Sequence, residues 1–385
     1  MATYSHSLET LVIHAGEEYI QGAVCPPIFQ SSTYMTDGGE GYHNSQYIRL
    51  NNTPNQVSLS KKIATLEQGE TAVVVSSGMA AISSTLLSFL HNGSHVLAQS
   101  CLYGATQQLL VNEFPLLGIE ADFIDPDSPE TWDIKLKTNT KVIYVESIAN
   151  PTLSIGNLEA IVAFAKQHQL ISIIDNTFAT PINFNPLTLG FDLVIHSCSK
   201  YLNGHLDIVA GCVVGNNTMI KQITQRLNHM GSCLDPHVCF LLSRGIETLV
   251  LRVKQQNNNA MQIARFLESN PLVNKVIYPG LESHPQHLYA QKLFRGYGGV
   301  LSFKLEGEVS QTETFLRNLQ IPLVAPSLGG VKTLITRPAL TSHSEMTALD
   351  RQKIGISDKL IRLSVGIESS DDLISDLKNS LNLLC

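Results

Sequence analysis

Three short stretches hold the residues best able to do chemistry, and each directly follows an apolar run. Residues 72–75 lead into Ser76-Ser77-Gly78-Met79-Ala80-Ala81, a small-residue turn that opens a helical pattern. Such a turn exposes backbone N–H groups at the positive end of a helix, which favours an anion and most usefully a phosphate. Taken alone, it reads more readily as a tight strand–helix connection, because short glycine motifs often match by chance. Residues 170–174 end in Asp175-Asn176-Thr177. An acid there could hold a protonated ring nitrogen or merely cap the next turn. Residues 193–195 end in His196-Ser197-Cys198-Ser199-Lys200-Tyr201. An unpaired ammonium is costly to bury, so Lys200 is either solvated or a desolvated, nucleophilic amine. In this order on one sheet, the three are the parts for holding pyridoxal phosphate. The lysine forms the Schiff base, the acid keeps the pyridine nitrogen protonated, and the ring takes up electrons.

Bringing such groups together requires neighbouring strands whose carboxyl ends open on one crevice. From residue 59 to 245, short apolar runs (those three, with 95–98, 142–145 and 209–214) alternate with amphipathic stretches at 79–90, 104–114 and 158–168. The alternation predicts a doubly wound α/β domain with a mostly parallel sheet, covered on both faces. Residues 1–58, rich in Gly, Pro and Asn, read as an irregular arm. Residues 246–385 read as a smaller α+β domain. It begins within one long helix over 245–269, stopped at Asn270-Pro271, and carries strand-like runs at 275–278, 300–305 and 360–365. A last helix spans 370–384, with Leu373, Leu377, Leu381 and Leu384 on one face and a capping-box-like start at Ser369 and Asp372.

Composition narrows the function classes. Of 385 residues, 43% are hydrophobic and 15% charged, which supports a sizeable core and excludes disorder as the dominant state. The net charge of −7, with no basic stripe, argues against a nucleic-acid partner. The seven cysteines (25, 101, 198, 212, 233, 239 and 385) form no C-x-x-C pair, so they read as free thiols of a reducing compartment. His205, His229 and His343 have no carboxylate or cysteine at ligand spacing, so no metal is expected. Residues 1–16 lack the pattern of a secretory signal, and no run approaches a membrane span. A cytoplasmic protein with no membrane partner is expected.

Further motifs follow in order: Leu-Tyr-Gly at 102–104, Glu146 with Asn150-Pro151-Thr152, and Ser-Lys-Tyr-Leu-Asn-Gly-His at 199–205. Arg244-Gly245, Tyr-Pro-Gly-Leu at 278–281, Ser-His-Pro at 283–285, Ser-Leu-Gly-Gly at 327–330 and Leu-Ile-Arg-Leu-Ser-Val-Gly at 360–366 complete the set. Together with Ser-Ser-Gly-Met at 76–79 and Asp175-Asn176-Thr177-Phe178, they resemble the Cys/Met-metabolism family of pyridoxal-phosphate enzymes over nearly the whole chain. That family includes cystathionine γ-lyase, cystathionine γ-synthase, cystathionine β-lyase and methionine γ-lyase. The resemblance implies the PLP-dependent transferase fold, fold type I, as in aspartate aminotransferase.

It also implies roles. Lys200 would carry the cofactor and shuttle protons, and Tyr103 would stack on the ring and act as acid–base partner. Asp175 would bind the pyridine nitrogen, with Thr177 a further cofactor contact. Gly78, Met79, Ser197 and Ser199 would hold the phosphate, which Tyr47 and Arg49 would reach from a neighbouring subunit. Asn150, Ser327 and Arg362 would fix a sulfur amino-acid substrate near its α-carboxylate, a task suited to the guanidinium fork. Such an arm implies a homo-oligomer, a homotetramer built as a dimer of dimers. Without the family pattern, Tyr103 reads as a packed aromatic, Met79 as helix core, Arg362 as a strand-face residue, and Tyr47 and Arg49 as solvated.

The chain departs from the family at three places. Its Tyr-x-Arg motif continues as Leu50-Asn51-Asn52-Thr53-Pro54 instead of x-Gly-Asn-Pro-Thr. Pro326 stands where many γ-lyases and bacterial γ-synthases carry Glu, and Gln108 where relatives often carry Arg. Both of these changes remove charge from the side that handles the substrate's distal end. The leading expectation is a cystathionine γ-lyase-like carbon–sulfur lyase, forming cysteine, 2-oxobutanoate and ammonia by α,γ-elimination. The alternative is cystathionine γ-synthase, acting on an O-acyl-homoserine and cysteine, with β-lyase and methionine γ-lyase activity behind it. Readings of another class are a non-catalytic PLP-binding protein and an aminotransferase, which would need a 2-oxo acid acceptor.

Overall fold

The computed structural model describes residues 6–36, 38–39, 41 and 45–384; Cys385 and the remaining arm positions lie outside the described residues. Seven strands form the larger sheet: β1 (Thr71–Val75), β2 (His95–Gln99), β3 (Glu120–Ile124), β4 (Thr140–Glu146), β5 (Ile171–Asp175), β6 (Leu193–Ser197) and β7 (Gly211–Gly215). Their order is β1-β7-β6-β5-β4-β2-β3. Strands β2 to β6 pair in parallel, whereas β7 runs antiparallel to both β6 and β1. The apolar runs are continuous because both faces are covered. Val74, Leu97, Ile143, Val145, Ile174 and Val194 pack into one core layer, and their neighbours Val73, Val96, Val142, Tyr144, Ile173 and Ile195 into the other. This is the mostly parallel α/β sheet that the alternation predicts.

A second sheet contains β8 (Val273–Ile277), β9 (Val300–Leu305), β10 (Leu323–Val324), β11 (Leu334–Thr336) and β12 (Leu360–Ser364), in the order β10-β11-β12-β9-β8. It is antiparallel except for the short β10–β11 pair. The helices Leu249–Glu268 and Ser370–Asn382 cover it, the latter burying Leu373, Leu377 and Leu381 beneath a Ser369 cap. No helix among the described residues is long and apolar enough to cross a membrane. The six described cysteines are free.

The structure corrects several expected elements. In place of one helix over 245–269 there are two, Pro236–Glu247 and Leu249–Glu268, meeting at Thr248. The buried Arg252 guanidinium takes the Gly245 carbonyl at 2.7 Å and the Tyr201 carbonyl at 2.7 Å, diverting a helix acceptor at the joint. The first helix starts earlier because Asp235 caps it and Pro236 suits its first turn. A helix at Pro54–Glu67 already begins within the stretch read as irregular arm, opened by a Thr53–Gln56 capping box. The helix expected over 104–114 is α-helical only over Gly104–Gln108 and widens to a π turn over Leu109–Glu113.

One buried polar knot ties the sheet to this arm-side helix. Glu67, fully buried at the helix end, pairs with His196 Nε2 at 2.5 Å and accepts from Asn176 Nδ2 at 2.9 Å and Asn185 Nδ2 at 3.3 Å. His196 and Asn176 lie at the ends of β6 and β5, beside Ser197 and Asp175, so the knot braces the floor of the crevice from below. Glu67→Ala leaves those groups buried without a partner. It is expected to cost about 3–5 kcal/mol, seen as a large drop in the denaturant midpoint of the cofactor-free protein.

Candidate active site

The strand ends do converge. A cavity of about 1040 Å³ opens at the carboxyl edge of the large sheet, bounded by Gly78, Met79, Tyr103, Glu146, Asn150, Asp175, Thr177, Ser197, Ser199, Lys200, Ser327 and Arg362. At its base, β1 gives way to the helix Gly78–Phe89, whose cap is Ser77, accepting from Ala80 N–H at 2.9 Å. The N–H groups of the first turn have no partner within a helix. A Cβ on Gly78 would lie 2.8 Å from Ser197 Cβ and 2.9 Å from its Oγ, and one on Gly211 would strike the Ser77 carbonyl. Only glycine leaves this cradle open.

Thr177 organises the next wall. Its N–H donates to Asp175 Oδ1 at 2.9 Å, and its Oγ1 accepts from Ser197 N–H at 2.8 Å. Burial raises the proton affinity of the Asp175 carboxyl, opposed by its bonds to Thr177. Ser199 Oγ accepts from Ala210 N–H at 3.0 Å and so pins the start of β7 to the turn after β6.

The side facing the small sheet is cationic. Lys200 Nζ donates to Ser327 Oγ at 3.0 Å, and Arg362 Nη2 donates to the Ser327 carbonyl at 2.8 Å. Arg362 Nη1 donates to Asn150 Oδ1 at 3.0 Å, while its Nε has no partner among the described residues. Burial and the Arg362 charge bring Lys200 down to about 8. Burial lowers Arg362 itself only to about 10, so it stays charged at neutral pH. Ser327 adopts φ 95°, a strained conformation for a residue with a side chain.

Two expected residues stand apart. Tyr47 and Arg49 do not bound this cavity: Arg49 Nη1 donates to the Asn228 carbonyl at 2.6 Å and its guanidinium lies 5.3 Å from the Tyr47 ring centroid. Gln108 borders a smaller side cavity of about 170 Å³, with Tyr103 and Thr341 to Met346. His343 is buried, pairing with the Leu102 carbonyl at 3.1 Å, and burial lowers it to about 4. Among the described residues, no group of three or more His, Cys, Asp or Glu is placed to hold a metal ion.

One residue of the cavity, named above only within a motif, has no role in the sequence reading. Glu146 ends the apolar run of β4 as Asp175 ends that of β5, and the two are register partners. The rule that found Asp175, a polar residue directly after a buried run, applied equally to Glu146. Burial and the Asp175 charge push it up to about 8.

The family described as Cys/Met metabolism PLP-dependent enzyme matches residues 9–382. The chain belongs to this family. An L-methionine gamma-lyase of Fusobacterium nucleatum subsp. polymorphum is 41% identical over 99% of this chain and 99% of its own. A cystathionine beta-lyase of Coxiella burnetii is 41% identical over 97% of each chain. Among solved structures, cystathionine gamma-lyase from Lactobacillus plantarum, complexed with L-serine, superposes with a TM-score of 0.94 at 36% identity, over 98% of this chain and 99% of that one. The protein is thus a pyridoxal-phosphate enzyme of the carbon–sulfur lyase family, with the fold the resemblance implies.

The residues present suit that cofactor. The glycine-lined cradle could take its phosphate, the Asp175 carboxylate its ring nitrogen, and Lys200, which gives up its proton near 8, its aldehyde. Gly78→Ala is expected to push Ser197 or the helix start away and to weaken pyridoxal phosphate binding about tenfold or more, read by titrating the cofactor-free protein. In that protein, Lys200 should react with an aldehyde along a pH curve centred near 8, two units or so below an exposed lysine. Following the imine absorbance from pH 6 to 11 checks this.

Proposed function

We propose that the enzyme cleaves L-cystathionine by α,γ-elimination, consuming water and forming cysteine, 2-oxobutanoate and ammonia. The observation that carries the reading is that one residue, Ser327, holds both cations: its hydroxyl meets Lys200 Nζ and its carbonyl meets Arg362 Nη2. A carboxylate bound on the Arg362 fork would bring the attached α-carbon up to the Lys200 amine. Pyridoxal phosphate, when bound, supplies an aldehyde that captures amines and a ring that accepts the electrons released at that carbon.

This chain's residues would do the rest. Lys200 would take the proton from Cα and assist proton removal at Cβ, its low proton affinity suiting both transfers. Tyr103, on the rim of the same cavity, would give a proton to the departing thiolate. Gly78, Met79, Ser197 and Ser199 would hold the phosphate, Asp175 and Thr177 the ring nitrogen side, and Asn150 would steady Arg362. Beyond them the wall is apolar, with Leu206, Ile208, Val209, Leu323 and Pro326, fit for a thioether chain. Lys332 on this cavity and Glu345 on the side cavity offer opposite charges to the carboxylate and ammonium at the distal end of cystathionine. The uncharged Pro326 and Gln108 support a second reading, methionine as substrate, as in the Fusobacterium relative's name.

The exposed arm side chains Tyr19, Val24 and Met35 support an assembled form. We take it to be a cytoplasmic homotetramer in which Tyr47 and Arg49 complete a neighbour's phosphate site.

Incubating the cofactor-loaded protein with L-cystathionine and weighing the products tests the reaction. Cysteine with 2-oxobutanoate is expected; homocysteine with pyruvate would move cleavage to the β-carbon. No turnover would sink the lyase reading and leave γ-synthase, tested with cysteine and an O-acyl-homoserine. Lys200→Ala should abolish turnover, and activity that persists without it would sink the assignment of Lys200.

A further inference from the structure

We propose that Glu146 is a positioning residue, a carboxylate clamp that fixes Tyr103 and Asn150 relative to each other across the mouth of the site. The roles given to Tyr103 and Asn150 rest on the function proposed above.

The backbone ladder between β2 and β4 ends at the pair Ala98–Tyr144. Beyond it, side chains take over. Gln99 Oε1 accepts from Glu146 N–H at 2.9 Å. Glu146 Oε1 then accepts from Tyr103 N–H at 2.6 Å and Oε2 from Asn150 N–H at 3.1 Å. The two loops leaving these strands, one carrying the ring-facing tyrosine and the other the amide that steadies Arg362, are therefore joined through one buried carboxyl group. From Tyr103 the contacts run unbroken through Glu146, Asn150, Arg362 and Ser327 to Lys200. Both oxygens of Glu146 are engaged by N–H groups, so it holds other groups in place and does not itself react.

Protonation works against the clamp. An ionised carboxylate offers acceptors on both oxygens, whereas a protonated one has a hydroxyl facing an N–H group. The groups around Glu146 are Asp175 on β5, Tyr144 on its own strand, Cys101 on the loop after β2, and Lys200 and Arg362 across the cavity. Burial and Asp175 favour the proton, while the N–H groups of Tyr103 and Asn150 oppose it. As pH falls through about 8, the clamp is expected to slacken and substrate affinity to fall.

The test uses holoenzyme of the wild type, Glu146→Gln and Glu146→Asp. Glycine, which has the α-carboxylate and amine but no side chain to eliminate, is titrated from pH 6 to 9.5 by the cofactor's absorbance. Visible circular dichroism reports the ring's surroundings. Glu146→Gln is expected to weaken glycine binding about tenfold, to change the dichroic band, and to lose the pH step near 8. Glu146→Asp should keep the step and bind between the other two. Should the Gln variant fail to fold, the Asp variant decides: wild-type glycine affinity with an unchanged band overturns the proposal. So does a Gln variant whose only change is a lower melting temperature. Because glycine is not cleaved, a wild type inactive on cystathionine would end the reading of the reaction while this test still stood.

Discussion

A buried arginine and a half-buried lysine, held by one serine, set the terms for the rest of the molecule. Lys200 and Arg362 both bond to Ser327, and neither bonds a carboxylate among the described residues. Burying positive charge this way is costly. The cost appears as a weakly held proton on Lys200 and an open guanidinium edge on Arg362. Both would suit the proposed reaction, in which a neutral amine and an amino-acid carboxylate would meet at the same spot. The fold has to sustain that arrangement, because Lys200 follows β6 of the large sheet while Arg362 lies within β12 of the small one.

The support lies in layers beneath and around the cations. Under the strand ends, Glu67 gathers His196, Asn176 and Asn185 into a fully buried polar knot. Beside them, Thr177 bonds both Asp175 and Ser197, so the acid and the glycine-lined cradle are placed by one side chain and its backbone. Arg252 ties the Tyr201 carbonyl, one residue beyond the lysine, to the joint between two helices. Glu67 and Arg252 give this support from outside the cavity lining.

Much of this was legible in the sequence where a local signal existed. Strands buried on both faces announce themselves as unbroken apolar runs, and the residues ending them gave Asp175 and Lys200. Strand β3, half-exposed at the sheet edge, has no such run and was missed. The helix joint at Thr248 was missed because its cause, the reach of Arg252 back to residue 201, is not local. Asn150, Ser327 and Arg362 are separated by up to 212 positions, so only the family resemblance could assemble them. Glu146 is within reach of the same local reasoning, since it ends the apolar run of β4, yet it enters the sequence reading only as part of a motif and without a role.

The odd strand, β7, has a consequence of its own. It runs against its neighbours, so it begins at the edge where they end, with Gly211 in register between Val75 and Ser197. Two strand spacings of about 4.8 Å therefore separate the end of β1 from the end of β6, and a residue without a side chain lies between them. The result is a notch in the sheet edge whose width is dictated by hydrogen-bond geometry. The gauge of the site is thus built into the order of the strands, and side-chain substitutions elsewhere in the pocket can retune its chemistry without resizing its floor.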